Sequence, residues 1–418
     1  MATAIATTAS AIATATAPLR PVKRLPLLTA GAITAALALH LAAAHGLRQA
    51  ALLGLGLLLG VTLYHAAFGF TSAFRVLLSD GRTAGLRAQM VMLALGCLLF
   101  FPALGLAAQL GLDVRGNVSP VGVSLLVGAL IFGVGMQLGG GCASGTLYTA
   151  GGGNARMLVV LAFFVVGSLI GTAHTAFWFA RPALPPLSAA TPEHWAGGLL
   201  LHLALFLAIA AGAAWIERRR HGGLAPITAT GDGRDLTLVA RLVRGPWPLL
   251  WGAVALAVLN FATLLLAGRP WGVTSAFALW GAKAATGLGI DVASWPHWSS
   301  PQAAASLAAP VLADATSVMD LGIVLGALAA SILAGRFRPS LAIPARSLLA
   351  AVVGGLLLGY GARLAYGCNI GAYFSGVVSG SLHGWVWLAA ALAGNALGVR
   401  LRPLFGLAVE RTARQTGC

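Results

Sequence analysis

The sequence is poor in charged residues, and acidic residues are the scarcest. Asp, Glu, Lys and Arg make up 9% of the 418 residues, with 26 basic residues against 10 acidic ones. Soluble domains carry about 25% charged residues, so a soluble fold of this composition would lack a polar surface. Because 58% of the residues are apolar, the composition excludes an ordinary soluble domain and indicates a lipid bilayer as the solvent.

The chain also lacks the short motifs of several function classes. It has no GxxxxGK[ST] nucleotide-binding loop. Its four cysteines, Cys97, Cys142, Cys368 and Cys418, show no metal-ligand spacing, and we predict neither a metal nor a cofactor. The net charge of +16 does not predict nucleic-acid binding, because the basic residues flank apolar runs instead of forming a block in a soluble stretch.

What the chain has in abundance is long apolar runs. Ten of them are about long enough to cross ~30 Å of hydrocarbon. The predicted spans are 25–44, 50–70, 86–111, 120–138, 156–180, 194–216, 247–268, 317–334, 346–366 and 381–400. They predict an all-α polytopic membrane protein in contact with lipid, and residues 1–24 are predicted to be disordered.

The basic residues predict an orientation. With both termini in the cytoplasm, 20 of the 26 Lys and Arg residues fall in cytoplasmic segments, as the positive-inside rule requires. We therefore predict a bacterial inner-membrane protein with a cytoplasmic linker at 217–246, which contains GDGRD at 231–235. Residues 401–418 are predicted to form a cytoplasmic tail.

The chain contains an internal repeat. GALIFGVGMQLGGGCASG at 128–145 matches GGLLLGYGARLAYGCNIG at 354–371 at seven positions, and FTSAF at 70–74 echoes VTSAF at 273–277. The repeats are predicted at about 50–180, within an N-terminal half at 25–216, and at 247–400. The predicted topology inverts one repeat relative to the other, an arrangement in which transporters bind substrate near the midplane.

Each repeat has two apolar stretches too short to cross the membrane, which we interpret as re-entrant short helices. Consecutive glycines allow a sharp turn, and the N-terminus of a short helix presents N–H groups to an anion. Two such termini facing each other predict an anion site. Its predicted residues are Gly140, Gly141, Cys142, Gly145, Gly367, Cys368, Asn369, Gly371, Arg363, Thr71, Ser72, Thr274 and Ser275.

Other interpretations of single residues stay open at this point. Cys142 and Cys368 are alternatively small packing residues in tight turns. Arg363 either attracts anions or anchors its helix at the membrane interface. Asp320 is predicted to be a helix N-terminal charge in preference to a proton site.

GGGCASGTLYTAGGG at 139–153 and YGARLAYGCNIGAYFSGVVSGSLHGW at 360–385 resemble the signature of the YeeE/YedE sulfur-transport family, which includes thiosulfate uptake proteins. The resemblance covers both repeats. It implies that Cys142 and Cys368 hydrogen-bond thiosulfate and pass it inward, and that a cytoplasmic sulfurtransferase receives the sulfur. For some members it implies a cysteine at the first short helix, where this chain has Thr71 and Ser72.

The sequence therefore predicts a non-enzymatic inner-membrane transporter for thiosulfate or a related sulfur-containing ion. The alternatives are a selenium-containing or other sulfur substrate, and a membrane sulfur-transfer protein with a cysteine persulfide. A structural subunit of another transporter is a further alternative.

Overall fold

The computed structural model describes residues 22–229, 236–339 and 341–410. In these ranges ten helices are long and apolar enough to cross a membrane. They are α1 (Arg24–His45), α2 (Leu47–Ala66), α4 (Ala84–Gly105), α5 (Val123–Gly139), α7 (Ala155–Ala173), α9 (Trp195–His221), α11 (Leu249–Ala267), α14 (Ala315–Leu333), α15 (Ala345–Leu364) and α17 (Leu382–Leu401). The predicted all-α polytopic fold is confirmed. GDGRD, most of the N-terminal segment predicted to be disordered, and residues 411–418 with Cys418 lie outside the described ranges.

Short elements connect these helices. They are α3 (Phe70–Ser79), β1 (Val121–Gly122), α6 (Ala143–Gly151), α8 (Thr175–Phe179), β2 (Ala183–Leu184), α10 (Leu238–Arg244), α12 (Thr274–Gly287), α13 (Pro301–Ala308), a π-helix (Asn369–Phe374) and α16 (Ser375–Val378). Strands β1 and β2 pair antiparallel, with Val121 opposite Leu184. Short 3₁₀ turns follow α13 and α17.

Two predicted spans run well past the ends of the observed helices. The third runs to residue 111 in the prediction, but α4 ends at Gly105 and a turn follows it. The fifth is interrupted at His174, where α7 ends and α8 begins. Apolar sequence beyond a helix end therefore does not by itself prolong the helix.

Because the number of crossings is even, the N-terminal end of α1 and the C-terminal end of α17 lie on the same side of the protein. We call this side the terminal face and the other the distal face. The connections 106–120, 174–194 and 268–314 lie at the distal face. Helices α1 and α9 lie at the periphery, where α1 contacts α2 and α9 contacts α4. Both expose leucines, as lipid-facing helices do.

The two repeats contact each other reciprocally through glycines. A Cβ on Gly394 of α17 would collide with the carbonyl of Leu130, and a Cβ on Gly167 of α7 would collide with the carbonyl of Leu356. Leu130 and Leu356 are equivalent in the two repeats, as are Gly167 and Gly394. The same contact therefore occurs twice, as expected for two copies related by a pseudo-two-fold axis.

A second reciprocal contact involves glycines within α5 and α15. The Gly128 backbone lies against Gly361, and the Gly135 backbone lies against Gly354. Each pair combines one residue from each repeat. Gly128 is equivalent to Gly354 and Gly135 to Gly361, so the two pairs are the same contact seen from each repeat. These glycines bring α5 and α15 into backbone contact at the centre of the fold, immediately before both cysteine turns.

Candidate functional site

The first cysteine lies where α5 is interrupted. Helix α5 ends at Gly139, and Gly140 adopts a left-handed conformation with φ of +85°. After this turn, Cys142 is the N-cap residue of α6. The N–H of Gly140 donates to the carbonyl of Met136, so Gly140 caps the helix C-terminus and its amide does not face a ligand.

Two arginines donate hydrogen bonds to the last carbonyl groups of α5. Arg156 donates to the carbonyls of Gly139 (2.5 Å) and Leu138 (2.7 Å), and Arg402 donates to the carbonyl of Gln137 (2.6 Å). A helix that ends inside a membrane needs such partners for its last carbonyls. The sequence analysis did not single out either arginine, because both lie far from the turn along the chain.

The second cysteine turn follows α15. Tyr366 and Gly367 have positive φ of +58° and +145°, and Cys368 is the N-cap residue of the π-helix Asn369–Phe374. A positive φ in a residue with a side chain is strained, so this turn is held by its surroundings. The predicted start of each short helix next to a cysteine agrees with the structure.

The two cysteines approach each other between the repeats. Helix α6, which follows Cys142, contacts the π-helix that follows Cys368. Cys142 is 2% exposed and Cys368 is fully buried. A Cβ on Gly145 would lie 3.4 Å from the Cys142 sulfur, so this glycine leaves room beside the thiol. Ser144 places its hydroxyl 3.5 Å from the same sulfur.

A cavity of about 290 Å³ opens from the distal face toward Cys368. We call it the distal vestibule. Five of the predicted site residues line it: Arg363, Gly367, Gly371, Thr274 and Ser275. Arg115 and Arg269 line it too, and the sequence analysis missed both as site residues because they lie in connections outside the repeat motifs.

Hydrogen bonds hold the walls of the distal vestibule. Arg269 and Ser275 both donate to the Thr316 hydroxyl, at 2.9 and 3.1 Å. Arg363 lies 3.3 Å from the His297 ring nitrogen. Burial, and then the charge of Arg363, lower the pKa of His297 to about 4. A neutral His297 ring therefore accepts a hydrogen bond from Arg363.

A second cavity of about 220 Å³ lies at the opposite side, against the N-terminus of α3. We call it the terminal vestibule. Gly69, Ser72, Arg82 and Gln89 line it, and the Ser72 hydroxyl donates to the carbonyl of Gly69 at 3.0 Å. Ser72 therefore belongs to this cavity, whereas its repeat equivalent Ser275 belongs to the distal vestibule.

An ion pair joins α3 to the C-terminal segment. Arg75 donates to both oxygens of Glu410, at 2.6 and 2.7 Å. Hydrogen bonding by Arg75 lowers the pKa of Glu410. The basic residue that follows the first TSAF motif is thus neutralised by an acidic partner in the structure.

Several polar groups between the vestibules lack a protein partner. Among the described residues, no hydrogen bond reaches Thr71 Oγ1, Gln137 Oε1, Tyr373 Oη or either amide atom of Asn369. Thr71 and Gln137 are joined through the Thr71 carbonyl at 3.2 Å, and Asn369 follows Cys368 directly. Buried polar groups normally have partners, so this cluster is suited to a polar ligand or water.

Two further residues from the second repeat have structural contacts. Lys283 donates to the carbonyl of Leu307 at 2.7 Å, which attaches α13 to α12. His383 contacts the Ser381 hydroxyl at 2.7 Å. Neither residue lines a vestibule.

Comparison with known proteins gives a family match and several relatives. The model of the family described as sulphur transport matches residues 65–397. The chain is 28% identical over 345 residues to the thiosulfate transporter TsuA of Spirochaeta thermophila, an alignment that covers 81% of this chain and 94% of the relative. It is 29% identical over 166 residues to the probable transporter YedE of Escherichia coli, which covers 39% of this chain and 40% of the relative. A probable transporter YedE of Salmonella typhimurium is 30% identical over the same length.

Proposed function

Since this chain belongs to the sulphur transport family, we propose that it takes up thiosulfate or a related sulfur-containing anion through a path between the two vestibules. Multiple membrane-spanning helices and transporter relatives support a transport role in preference to an enzymatic one. A relative named for thiosulfate transport aligns with 81% of the chain, which supports this substrate over selenium-containing anions.

The observation that carries the proposal is the pair of cysteines at the starts of two short helices. The short helices that begin at Cys142 and Cys368 contact each other from opposite repeats, and a vestibule lies toward each face of the membrane. Thiosulfate has one soft sulfur and three oxygens. A thiol donates a weak S–H hydrogen bond to the sulfur, and helix N-terminal N–H groups suit the oxygens.

The distal vestibule supports entry of an anion. Arg115, Arg269 and Arg363 line it, and Lys and Arg side chains around a cleft raise the local concentration of anions. Deeper in the protein the ligands are weak thiols and uncharged polar groups. Such ligands let the ion leave again, as conduction requires.

The basic residues support the direction of uptake. Segments at the terminal face carry most of the Lys and Arg residues, which makes this face cytoplasmic under the positive-inside rule. In a bacterial inner membrane the distal vestibule then faces outward and both termini face the cytoplasm. Transfer of the sulfur to a cytoplasmic sulfurtransferase stays a prediction from the resemblance.

Uptake of labelled thiosulfate by liposomes that contain the purified protein tests the proposal. We expect uptake by the wild type, and a loss of at least about tenfold in Cys142→Ser and in Cys368→Ser. Replacing S–H by O–H removes the soft hydrogen-bond donor to the thiosulfate sulfur. A loss of about 1.4 kcal/mol of binding free energy lowers affinity tenfold. Cys97→Ser is the matched control, because Cys97 is also fully buried but lies in α4.

Two outcomes would contradict the proposal. A wild type without thiosulfate uptake would redirect the substrate search to other sulfur or selenium anions, each supplied in labelled form. Stable transfer of labelled sulfur to either cysteine would support the persulfide alternative instead.

A further inference from the structure

Asp320 is a carboxyl group inside the membrane-spanning part of the protein. It is the sixth residue of α14 and is fully buried. Among the described residues, neither of its oxygens has a hydrogen-bond partner and no ion pair includes it. The helix N-terminal position that the sequence analysis assigned to Asp320 belongs to Asp314, which accepts a hydrogen bond from the Ser317 N–H at 2.8 Å. That assignment was therefore wrong, and Asp320 needs another explanation.

Asp320 lies directly below the distal vestibule. Thr316 precedes it by four residues, so the two side chains share one face of α14, about 6 Å apart along the helix axis. The Thr316 hydroxyl accepts hydrogen bonds from Arg269 and Ser275, and both of these line the vestibule. The carboxyl group is thus one helical turn deeper than the vestibule wall.

The contacts of α14 place it between the vestibule and a cysteine turn. At its start, Asp314 caps the helix and Arg269 reaches Thr316 from the vestibule wall. Further along, α14 packs against α6, which begins directly after Cys142. Asp320 therefore lies on a helix that joins the positive entrance of the path to one of the two cysteine turns.

The middle of α2, the helix that packs along α14, supplies no charged side chain. On α2 the titratable side chains are near the helix ends, at Arg48, Tyr64 and His65, and between them Gly56 packs its backbone against Met319 and Gly322. Two further neighbours of α14, α6 and α12, carry Tyr148 and Lys283, and Lys283 binds the carbonyl of Leu307. The remaining helices that contact α14 are α1, with Arg24, His40 and His45, and α10, with Arg241 and Arg244.

An unpaired carboxylate at membrane depth is unfavourable, whereas the protonated acid is neutral. Uptake of a dianion into a negatively charged cell interior is also opposed by the membrane potential. A proton that accompanies the anion reduces the charge that must move inward. Both arguments favour a buried acid next to the anion path that binds and releases a proton.

We propose that Asp320 is the proton-binding site that couples inward movement of the sulfur anion to inward movement of a proton. The proton comes from water in the distal vestibule, binds the Asp320 carboxylate while the anion is near the cysteines, and returns to water on the terminal side. One carboxyl group carries one proton per cycle, so a dianion and a proton together move one net negative charge. The inference rests on the proposed function.

Liposomes containing the full chain test this with two assays. The first is exchange of labelled for unlabelled thiosulfate at equal concentrations and equal pH, which needs transport but no driving force. The second is accumulation of labelled thiosulfate driven by an outside pH one unit below the inside pH, with the membrane potential clamped at zero and an internal pH dye present. The wild type should exchange, accumulate up to about tenfold for one proton per anion, and acidify the interior as the anion enters.

Asp320→Asn imitates the protonated acid and should keep exchange within about twofold of the wild type while losing accumulation and acidification. Asp320→Glu should retain part of the accumulation and of the acidification. Asp314→Asn is the control carboxyl variant that should remain coupled.

The inference is overturned if Asp320→Asn still accumulates thiosulfate under the pH gradient. It is also overturned if wild-type protein exchanges thiosulfate but ignores that gradient, or responds only to a sodium gradient. Absence of exchange in the wild type would instead refute the proposed function itself.

Discussion

Arg363 illustrates how position decides the role of a single charge. Along the sequence it is five residues before Cys368 and near the end of an apolar helix, where extension to the interface and anion attraction are equally compatible with the pattern. The fold turns it toward the distal vestibule, where His297 lies against its guanidinium. Arg115 and Arg269 reach the same cavity from separate connections, so three distant residues form one positive surface.

We expect Arg363→Gln to raise the KM for thiosulfate uptake by about tenfold, because a hydrogen bond to a charged group contributes about 1.5–3 kcal/mol. Arg363→Lys keeps the charge and should lose less. Arg181→Gln is the matched control, because Arg181 is an exposed arginine on the same face that packs on Phe177 outside the vestibule. Uptake kinetics at low and high salt measure the effect, which should shrink as salt rises. Equal losses in the Arg363 and Arg181 glutamine variants would argue against a local role.

At the scale of elements, the Cys142 turn depends on contacts between the repeats. Helix α5 stops at Gly139 and α15 stops at Leu364, and both interruptions follow the point where glycines bring the two helices into backbone contact. Arg156 of α7 and Arg402, directly after α17, donate to the last carbonyls of α5. The Cys142 turn is therefore supported by the second repeat as well as by its own.

Gly394→Ala and Gly167→Ala should destabilise the protein by similar amounts, since each added Cβ would meet a carbonyl of the opposite repeat, at Leu130 and Leu356 respectively. Overpacking of this kind costs about 1–3 kcal/mol. Gly54→Ala is the control, because a Cβ on this helical glycine meets no atom within 4 Å. Thermal unfolding of the purified variants in detergent measures the difference. A large loss in only one of the two variants would contradict the two-fold relation.

For the whole molecule, the two vestibules lie toward opposite faces, and the cysteine pair lies between them. The distal vestibule is bounded by the second TSAF helix and the terminal vestibule by the first. The two equivalent helices bound vestibules at opposite faces because equivalent segments of inverted repeats open toward opposite sides. An arrangement of this kind suits a path that crosses the membrane through the repeat interface.

The proposed orientation predicts the sidedness of chemical labelling in intact cells. In a Cys418→Ser background, Ser299→Cys at the distal face should react with a membrane-impermeant maleimide. Gly223→Cys at the terminal face should react only after the cells are opened, and both positions are exposed. Cys97, Cys142 and Cys368 are buried and should contribute little background. The reverse labelling pattern would invert the topology and with it the direction of uptake.

The sequence alone determined the class of the molecule, the ten crossings, the repeat and the positions of both cysteine turns. These features depend on local properties: apolar length sets a crossing, and glycine followed by a short apolar segment predicts a turn. The repeat appears directly as matching letters. The confirmed helices accordingly differ from the predicted spans mainly at their ends, where turns intervene.

Only the tertiary structure decided which charges line the distal vestibule or lie beside it. Arg115 and Arg269 are ordinary interfacial arginines along the chain, yet they line one cavity with Arg363. Asp320 matches a helix-start charge in sequence, but the preceding Asp314 occupies that position and leaves Asp320 buried. Such roles depend on contacts between residues far apart in the chain. The same charged side chain has a different energy in a membrane when its neighbours differ, so the residue type alone does not determine its role.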